Sequence, residues 1–171
     1  RECLAYSEKE AENALYKLQE MPFIDESLML STCNRTELYA VYNDDEAIKT
    51  ADPAERMIDF LTKEKNAEGI DRGVFYVRRN EDTVHHLYRV ACGLESMVKG
   101  EAQIFSQVKN AYSIGCRARS CGQLLHKLLH SAFRARKPAR TETDIGVGAV
   151  SVSLAAVELS ERIFKNISTK K

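Results

Sequence analysis

The chain has 171 residues, of which 44% are hydrophobic and 29% charged, a composition typical of a globular protein with a sizeable core. No apolar run reaches the length of a transmembrane helix and no signal-peptide pattern opens the chain, so nothing predicts a membrane protein. The five cysteines follow no pairing pattern, which favours a reducing compartment. Because the chain begins at Arg1 without a methionine, we expect it to be part of a longer protein.

The net charge of zero conceals an asymmetry along the chain. Residues 1–101 carry 13 Lys or Arg against 21 Asp or Glu, a net of −8, whereas residues 102–141 carry eight Lys or Arg and no acid. Clustered cations of this kind suit a polyanion such as RNA. The alternative is that the acidic and basic segments face each other within the fold.

The first 79 residues predict an α+β subdomain. The elements are a helix from a capping box at Ser7 to about Met21, strands at 27–31 and 38–43, a helix that begins at Asp52-Pro53, and a strand at 74–77. The order α-β-β-α-β becomes the split βαβ, or ferredoxin-like, arrangement if one strand precedes Arg1. We therefore expect a ferredoxin-like sheet that lacks its first strand in this chain.

From residue 80 onward the apolar periodicity is helical. Helices are predicted from a cap at Asn80 to Gly93, across 104–112, across 124–133 after a break bracketed by Gly115 and Gly122, and from about residue 149, where Val150, Leu154, Val157 and Ile163 recur. We expect three parts: the α+β subdomain at 1–79, a helical subdomain at 80–140, and a linker with a helix at 141–171.

The most informative segment joins the two predicted strands and reads Ser31-Thr32-Cys33-Asn34-Arg35-Thr36-Glu37. A polar turn between strands presents its side chains at the rim of a sheet. Thiol nucleophiles act as thiolates, and a fixed cation such as the Arg35 guanidinium favours that form. Loop cysteines are common, so the turn alone leaves both a reactive and a structural cysteine open.

The turn resembles the signature of the glutamyl-tRNA reductase family, and three further stretches agree with that family in order and spacing. They run from His86 to Val98, from Gly100 through Ile104 to Lys109, and from Arg140 to Gly146 with 149–153. The resemblance covers about residues 1–165. Lys99 and Ala102 depart from it, since the family more often has an apolar residue and a proline there.

This resemblance implies the NADPH-dependent reduction of glutamyl-tRNA to glutamate-1-semialdehyde, the first step of tetrapyrrole biosynthesis from glutamate. Cys33 would be the nucleophile that holds glutamate as a thioester. His86 would donate a proton or polarise the ester carbonyl, although spacing alone favours a helix-surface histidine bonded to a backbone carbonyl.

The resemblance also assigns a substrate pocket. Arg35 can make a planar two-point contact with a carboxylate of glutamate, Glu101 can meet the ammonium group, and Ala102 can contribute only its backbone. The alternative for Ser96, Gln103 and Gln107 is that they only cap helices or lie on helix surfaces. The implied substrate-binding residues are Thr32, Asn34, Arg35, Ser96, Glu101, Ala102, Gln103 and Gln107.

The cofactor and partners are implied in the same way. NADPH would be bound by a following domain absent from this chain, so the chain alone would form and hydrolyse the acyl-enzyme without reducing it. The partners would be glutamyl-tRNA, a second subunit of a homodimer formed through a missing C-terminal region, and a downstream aminomutase, with no membrane contact. The location would be cytoplasmic, or the plastid stroma in a plant.

Two other patterns are weaker. Four residues separate Cys116 from Cys121 and Cys121 from His126, and three separate His126 from His130, whereas a C₂H₂ finger needs about twelve residues between its pairs. We therefore expect no metal. Gly146-Val147-Gly148 lacks the preceding strand and the third glycine of a dinucleotide fingerprint, so we interpret it as linker.

Two other functions remain open at this point. A non-catalytic tRNA-binding or regulatory module would use the basic residues of 102–141 and keep Cys33 as a structural thiol. A thiol hydrolase or acyltransferase would use Cys33 on some other ester. RNA binding that survives Cys33→Ser would favour the first, and activity on small glutamate esters without tRNA would favour the second.

Overall fold

The computed structural model describes residues 2–43 and 52–146 and the helical positions 156, 157, 159–161 and 163. Its elements are α1 (Glu8–Gln19), β1 (Ile24–Ser31), β2 (Thr36–Tyr42), α2 (Pro53–Glu64), α3 (Glu81–Ala91), α4 (Gln103–Arg117) and α5 (Gln123–Thr141), with short 3-10 turns at Glu2–Leu4, Arg72–Val74 and Asp144–Gly146. The predicted combination of helices with a β-sheet is confirmed.

The chain forms two compact units. The first contains residues 1–80 and 107–130, and the second contains residues 81–106 and 131–171. The helical segment predicted at 80–140 is thus divided between the two units. The predicted separation into three parts stays a prediction.

The helix starts in the first unit follow local sequence signals. Ser7 Oγ accepts a hydrogen bond from the backbone N–H of Glu10, and the Glu10 carboxylate accepts one from the N–H of Ser7, which completes the predicted capping box. Asp52 Oδ1 accepts from the N–H of Ala54 at 3.0 Å, directly before Pro53 at the start of α2. Both helices therefore begin where the sequence predicts.

The sheet of the described residues is one antiparallel hairpin, in which Ser31 pairs with Thr36 next to the connecting turn. Strand β1 is buried continuously from Glu26 to Leu30 rather than at alternate positions. Its outer edge bonds to the segment before α5, because Ser27 N–H donates to the Ser120 carbonyl and Ser120 Oγ donates to the Ser27 carbonyl, each at 2.8 Å. This strand is consequently held on both edges.

The predicted strand at 74–77 is wrong. Val74 ends the Arg72–Val74 turn, the described residues 75–79 form no strand, and the side chains of Tyr76 and Val77 are exposed. The cause is local, because Asp71 caps the turn by accepting from Gly73 N–H at 2.9 Å, and the next two N–H groups bond back to the carbonyls of Asp71 and Arg72. The finer ferredoxin-like arrangement stays a prediction.

The core of the first unit lies between α1, the hairpin and α2. Leu15 and Leu18 on the inner face of α1 and Met29 of β1 are at most 1% exposed. The same cluster contains Phe60 and Leu61 of α2 and extends to the following buried side chains: Tyr6, Ala11, Ala14, Ile114 and Ala118. Packing against this core fixes the position of β1. Because β1 leads directly into the turn at residues 32–35, the core also fixes the end of the hairpin that carries Cys33.

A buried carboxylate in β1 caps the start of α5. Glu26 is 8% exposed, and its two oxygens accept the backbone N–H groups of Leu124 at 2.9 Å and Leu125 at 2.8 Å. A side chain at Gly122 would lie 2.5 Å from Glu26 Oε1, so this close approach requires glycine. An anion at a helix N-terminus satisfies donors that the helix itself leaves unpaired.

We expect Glu26→Ala to lower the free energy of unfolding by about 2–4 kcal/mol, because two N–H donors would lose a charged acceptor in a buried place. Chemical denaturation measures this change. Asp25→Ala is the matched control, since Asp25 is exposed on the same strand and should change stability by less than about 0.5 kcal/mol. Equal effects of the two substitutions would contradict the capping role.

The second unit contains α3 and the glycine-bounded loop that follows it. The buried side of α3 carries His86, Leu87, Val90 and Ala91, whereas Val84 is 41% exposed. Gly93 ends the helix as predicted, at a φ of +79°, with the N–H of Leu94 bonded to the Arg89 carbonyl at 2.8 Å.

The C-terminal half contains two predicted features, a break between helices and a last helix from about residue 149. The break predicted between Gly115 and Gly122 is confirmed, but it is shorter than expected, because α4 continues through Gly115 to Arg117 and α5 begins at Gln123. Most of the helix predicted from residue 149, with Val150 and Leu154, lies outside the described residues. The described positions from 156 to 163 are helical, and Val157 and Ile163 are exposed.

Candidate active site

The turn between β1 and β2 is organised by one hydroxyl. Thr32 Oγ1 accepts from the backbone N–H groups of Asn34 and Arg35, each at 3.1 Å, and the N–H of Thr32 donates to the Arg35 carbonyl at 2.8 Å. These bonds close a four-residue loop whose second residue is Cys33, which is exposed. Thr32 therefore positions the thiol through the backbone, as a threonine in a tight turn does.

The five cysteines differ in their surroundings. Burial raises the pKa of the Cys92 thiol and raises that of Cys121 to about 12, so both stay protonated and unreactive at neutral pH. Cys3, Cys33 and Cys116 are exposed. Among these, Cys33 is the one to which the family resemblance assigns the role of nucleophile.

Arg35 forms an ion pair that the sequence does not indicate directly. Its Nη1 lies 3.2 Å from Glu37 Oε1, and the two side chains are only 15% and 6% exposed. The Tyr76 hydroxyl donates to Glu37 Oε1 at 2.9 Å, and the Tyr39 hydroxyl donates to Glu37 Oε2 at 2.5 Å. One carboxylate thus fixes the orientation of the guanidinium beside the cysteine turn.

The electrostatics of this cluster follow from burial. Loss of solvent around the hydroxyl raises the pKa of Tyr39, which is buried, and also that of Tyr76, whose side chain as a whole is exposed, and the neighbouring Glu37 carboxylate raises each pKa further. Both phenols therefore stay protonated and act as hydrogen-bond donors. The sequence predicts neither Glu37 nor the two tyrosines as functional residues, although strand periodicity places positions 37 and 39 on one face of β2, which begins directly after Arg35.

Gln107 lies in the first unit, on a cleft of about 60 Å³ between α1, β1 and α4. Ser31, the residue directly before the cysteine turn, lines the same cleft together with Tyr6 and Asn110. Asn110 Nδ2 donates to Glu8 Oε1 at 2.8 Å. The structure thus places Gln107 in the unit that also contains the Cys33 turn.

The remaining predicted site residues belong to the second unit. His86 is 7% exposed on α3, which differs from the surface histidine that spacing alone permits. Ser96 and Glu101 are half-buried on the loop after Gly93, and Ala102 and Gln103 are exposed where this loop enters α4. The loop is closed by the N–H of Gly100, which donates to the Gly93 carbonyl at 3.0 Å.

His126 and His130, the two histidines of the spacing compared above with a zinc finger, contact a tyrosine. The Tyr112 hydroxyl lies within hydrogen-bond distance of His126 Nδ1 and 3.1 Å from His130 Nε2. Burial is the main cause that raises the pKa of Tyr112 to about 12. In the described segments 2–43 and 52–146, no group of three or more His, Cys, Asp or Glu side chains is arranged to hold a metal ion.

The fold and the turn define an α+β domain with an exposed thiol on a hairpin. Residues 1–143 match the family model described as the N-terminal domain of glutamyl-tRNAGlu reductase, so the chain belongs to this family. None of the helices in the described part of the chain is long and apolar enough to cross a membrane.

Curated relatives and a solved structure agree with this assignment. The chain is 39% identical over its whole length to the glutamyl-tRNA reductase of Desulfatibacillum aliphaticivorans and 44% identical over 94% of its length to that of Synechococcus elongatus. It spans 38% and 36% of those proteins. The match to the solved glutamyl-tRNA reductase from Methanopyrus kandleri covers 92% of this chain and 37% of the chain of that structure, at 35% sequence identity and a TM-score of 0.64.

Proposed function

We propose that the chain is the thiol-bearing part of a glutamyl-tRNA reductase, an enzyme of the first step of tetrapyrrole biosynthesis. The observation that carries the proposal is the exposed Cys33 in a turn fixed by Thr32, within a chain of this family. Glutamyl-tRNA is an activated ester, which a positioned thiolate can attack.

The proposed first step exchanges one acyl bond for another. The Cys33 thiolate forms a bond to the ester carbonyl carbon, the bond from that carbon to the ribose oxygen breaks, and the ribose oxygen takes a proton. We assign this proton to His86, since an imidazole transfers protons near neutral pH. The product is a glutamyl thioester, from which water releases glutamate and regenerates the thiol when no reductant is present.

Selection of glutamate is assigned to the Arg35 guanidinium, which the Glu37 carboxylate orients. A planar guanidinium binds a carboxylate at two points and gains much less from an uncharged amide. Asn34, Ser96, Glu101, Ala102, Gln103 and Gln107 are proposed as further substrate contacts, Ala102 through its backbone alone. Thr32 acts through the turn that it organises.

The described residues do not fit NADPH. The described sheet is a two-stranded antiparallel hairpin, and Gly146 lies at the end of a 3-10 turn without a preceding strand, so neither provides a dinucleotide-binding βαβ unit. When bound, NADPH would supply the hydride that converts the thioester to the aldehyde. We therefore assign NADPH to a further part of the longer protein that the relatives represent.

The proposed partner is glutamyl-tRNA. A homodimer and a complex with a downstream aminomutase are proposed for the longer protein, as is a cytoplasmic or, in a plant, plastid location. The alternative of a tRNA-binding module without catalysis rests on the eight cations and no acids of residues 102–141.

Without NADPH, we expect the chain to accelerate the release of glutamate from glutamyl-tRNA and to leave glutaminyl-tRNA at its uncatalysed rate. The reason is that Arg35 distinguishes the side-chain carboxylate from an amide. The measurement is the rate of deacylation of each radiolabelled aminoacyl-tRNA. If tRNA binds but neither substrate is deacylated, the chain is better described as a tRNA-binding module without catalytic activity. Equal acceleration of both would instead contradict the role of Arg35.

A further inference from the structure

The C-terminal part of α5 concentrates positive charge in the second unit. Arg134, Arg136, Lys137 and Arg140 fall within seven successive residues, and the chain from 102 to 141 contains no acid to balance them. Arg136 and Arg140 are one helical turn apart and therefore lie on the same side of the helix, whereas Arg134 lies on the opposite side from Arg136.

The two guanidinium groups that share a face are each held in place. Arg136 Cζ lies 4.0 Å from the centroid of the Phe105 ring, and this ring packs edge-on against Phe133 with centroids 5.6 Å apart. Arg140 Nη1 donates to the carbonyl of Gly100 at 3.5 Å. Stacking on an aromatic ring and bonding to a carbonyl orient these cations without neutralising them.

Two like charges at this spacing repel each other. Burial lowers the pKa of the Arg136 guanidinium, and the nearby Arg140 lowers it further. Within the part of the chain that the structure describes, neither arginine forms a salt bridge with a carboxylate. Two guanidinium groups that the fold holds on one side of a helix without a carboxylate partner can bind an external anion by charge-assisted hydrogen bonds.

The position of the pair indicates which anion it meets. Gly100, which accepts from Arg140, directly precedes Glu101 and Ala102, two of the proposed glutamate contacts in the same unit. A side chain at Gly100 would lie 1.7 Å from the carbonyl oxygen of Ile145, so this loop is packed closely against the segment after α5. Under the proposed assignment of Glu101 and Ala102 to glutamate binding, an anion bound there would lie next to the glutamyl group that these two residues contact.

We propose that Arg136 and Arg140 jointly bind one backbone phosphate near the aminoacylated 3′ end of the tRNA. The inference rests on the proposed function, because it assigns the RNA part of that substrate to a pair of residues. Phosphate is the anion of RNA, and two fixed guanidinium groups can bind its oxygens by charge-assisted hydrogen bonds.

The test is the affinity of the chain for uncharged tRNA, measured by fluorescence anisotropy at several salt concentrations. Arg140→Gln should weaken binding about tenfold, and the slope of log K against log salt should become shallower by about 0.7, the value for one single-stranded phosphate contact. The double variant Arg136→Gln with Arg140→Gln should bind tRNA only slightly more weakly than Arg140→Gln alone, because both arginines hold the same phosphate. Arg134→Gln removes the same charge from the opposite side and should change affinity less than threefold, or roughly 0.6 kcal/mol by RT ln 3.

Each outcome decides the proposal. Equal losses for Arg134→Gln and Arg140→Gln would overturn it in favour of general electrostatic attraction, and losses that add fully in the double variant would overturn the shared phosphate. Absence of tRNA binding by the unmodified chain would also overturn it. If Arg140→Gln does not fold, Arg140→Lys keeps the charge but loses the two-point contact, and it should still bind more weakly than the unmodified chain. Because uncharged tRNA needs no thiol, these results are separate from the deacylation that tests the proposed function.

Discussion

Replacing Cys33 by serine is expected to reduce the release of glutamate from glutamyl-tRNA to the uncatalysed rate. A serine hydroxyl is a far weaker nucleophile than a thiolate unless a general base activates it. The side chain is exposed in a turn held by backbone bonds to Thr32, so the substitution should leave the free energy of unfolding within about 0.5 kcal/mol. Deacylation rates and a denaturation curve measured on the same preparation separate loss of chemistry from loss of fold.

Cys116→Ser is the matched control for this prediction. Cys116 is also exposed and also belongs to the first unit, but it lies near the end of α4 rather than in the hairpin turn. We expect its substitution to leave the release of glutamate unchanged. Retention of activity in Cys33→Ser, or loss in Cys116→Ser, would remove Cys33 from the proposed mechanism.

Replacing Glu37 by alanine is expected to lower the free energy of unfolding by about 3–5 kcal/mol, the range found when one partner of a buried ion pair is removed. The Arg35 charge would remain in a place where its side chain is only 15% exposed, and the hydroxyls of Tyr39 and Tyr76 would lose their acceptor. Selectivity for glutamyl over glutaminyl esters should fall as well, because Glu37 orients the guanidinium. Chemical denaturation gives the first result and deacylation rates give the second.

Glu37→Gln and Glu55→Ala are the controls. Glutamine keeps an acceptor for the tyrosines but removes the charge. The free energy of unfolding of Glu37→Gln should therefore lie between that of the unmodified chain and that of Glu37→Ala. Glu55 pairs with Arg72 where both side chains are 54% exposed, so its substitution should have little effect. An effect of Glu37→Ala as small as that of Glu55→Ala would show that the buried cluster does not stabilise the turn.

The parts of the fold that follow from short-range signals are predicted correctly. The capping box at Ser7, the cap at Asp52 and the helix end at Gly93 each depend on bonds within a few residues, which the sequence displays directly. The strand predicted at 74–77 shows the opposite case. Its apolar run is typical of a strand, but the capped turn at Asp71 uses the N–H groups of Val74 and Phe75 in local bonds.

The predicted site shows a similar division. The strand–turn–strand arrangement around Cys33 follows from residue type and order, whereas the roles assigned to the pocket residues stay predictions that come from the family resemblance. Neither source indicates that Tyr76, which lies 39 positions from Glu37, donates to the same carboxylate as Tyr39. Such contacts depend on how distant segments pack, and a single sequence does not display them.

The central claim is that Cys33 takes the glutamyl group from glutamyl-tRNA. The most direct measurement is intact-mass spectrometry of the chain after incubation with glutamyl-tRNA without NADPH, followed by mapping of the modified peptide. We predict a gain of one glutamyl group per chain, located on the peptide that contains Cys33 and absent from Cys33→Ser. A chain that binds tRNA but gains no mass and releases no glutamate, or one modified at another cysteine, would contradict the account.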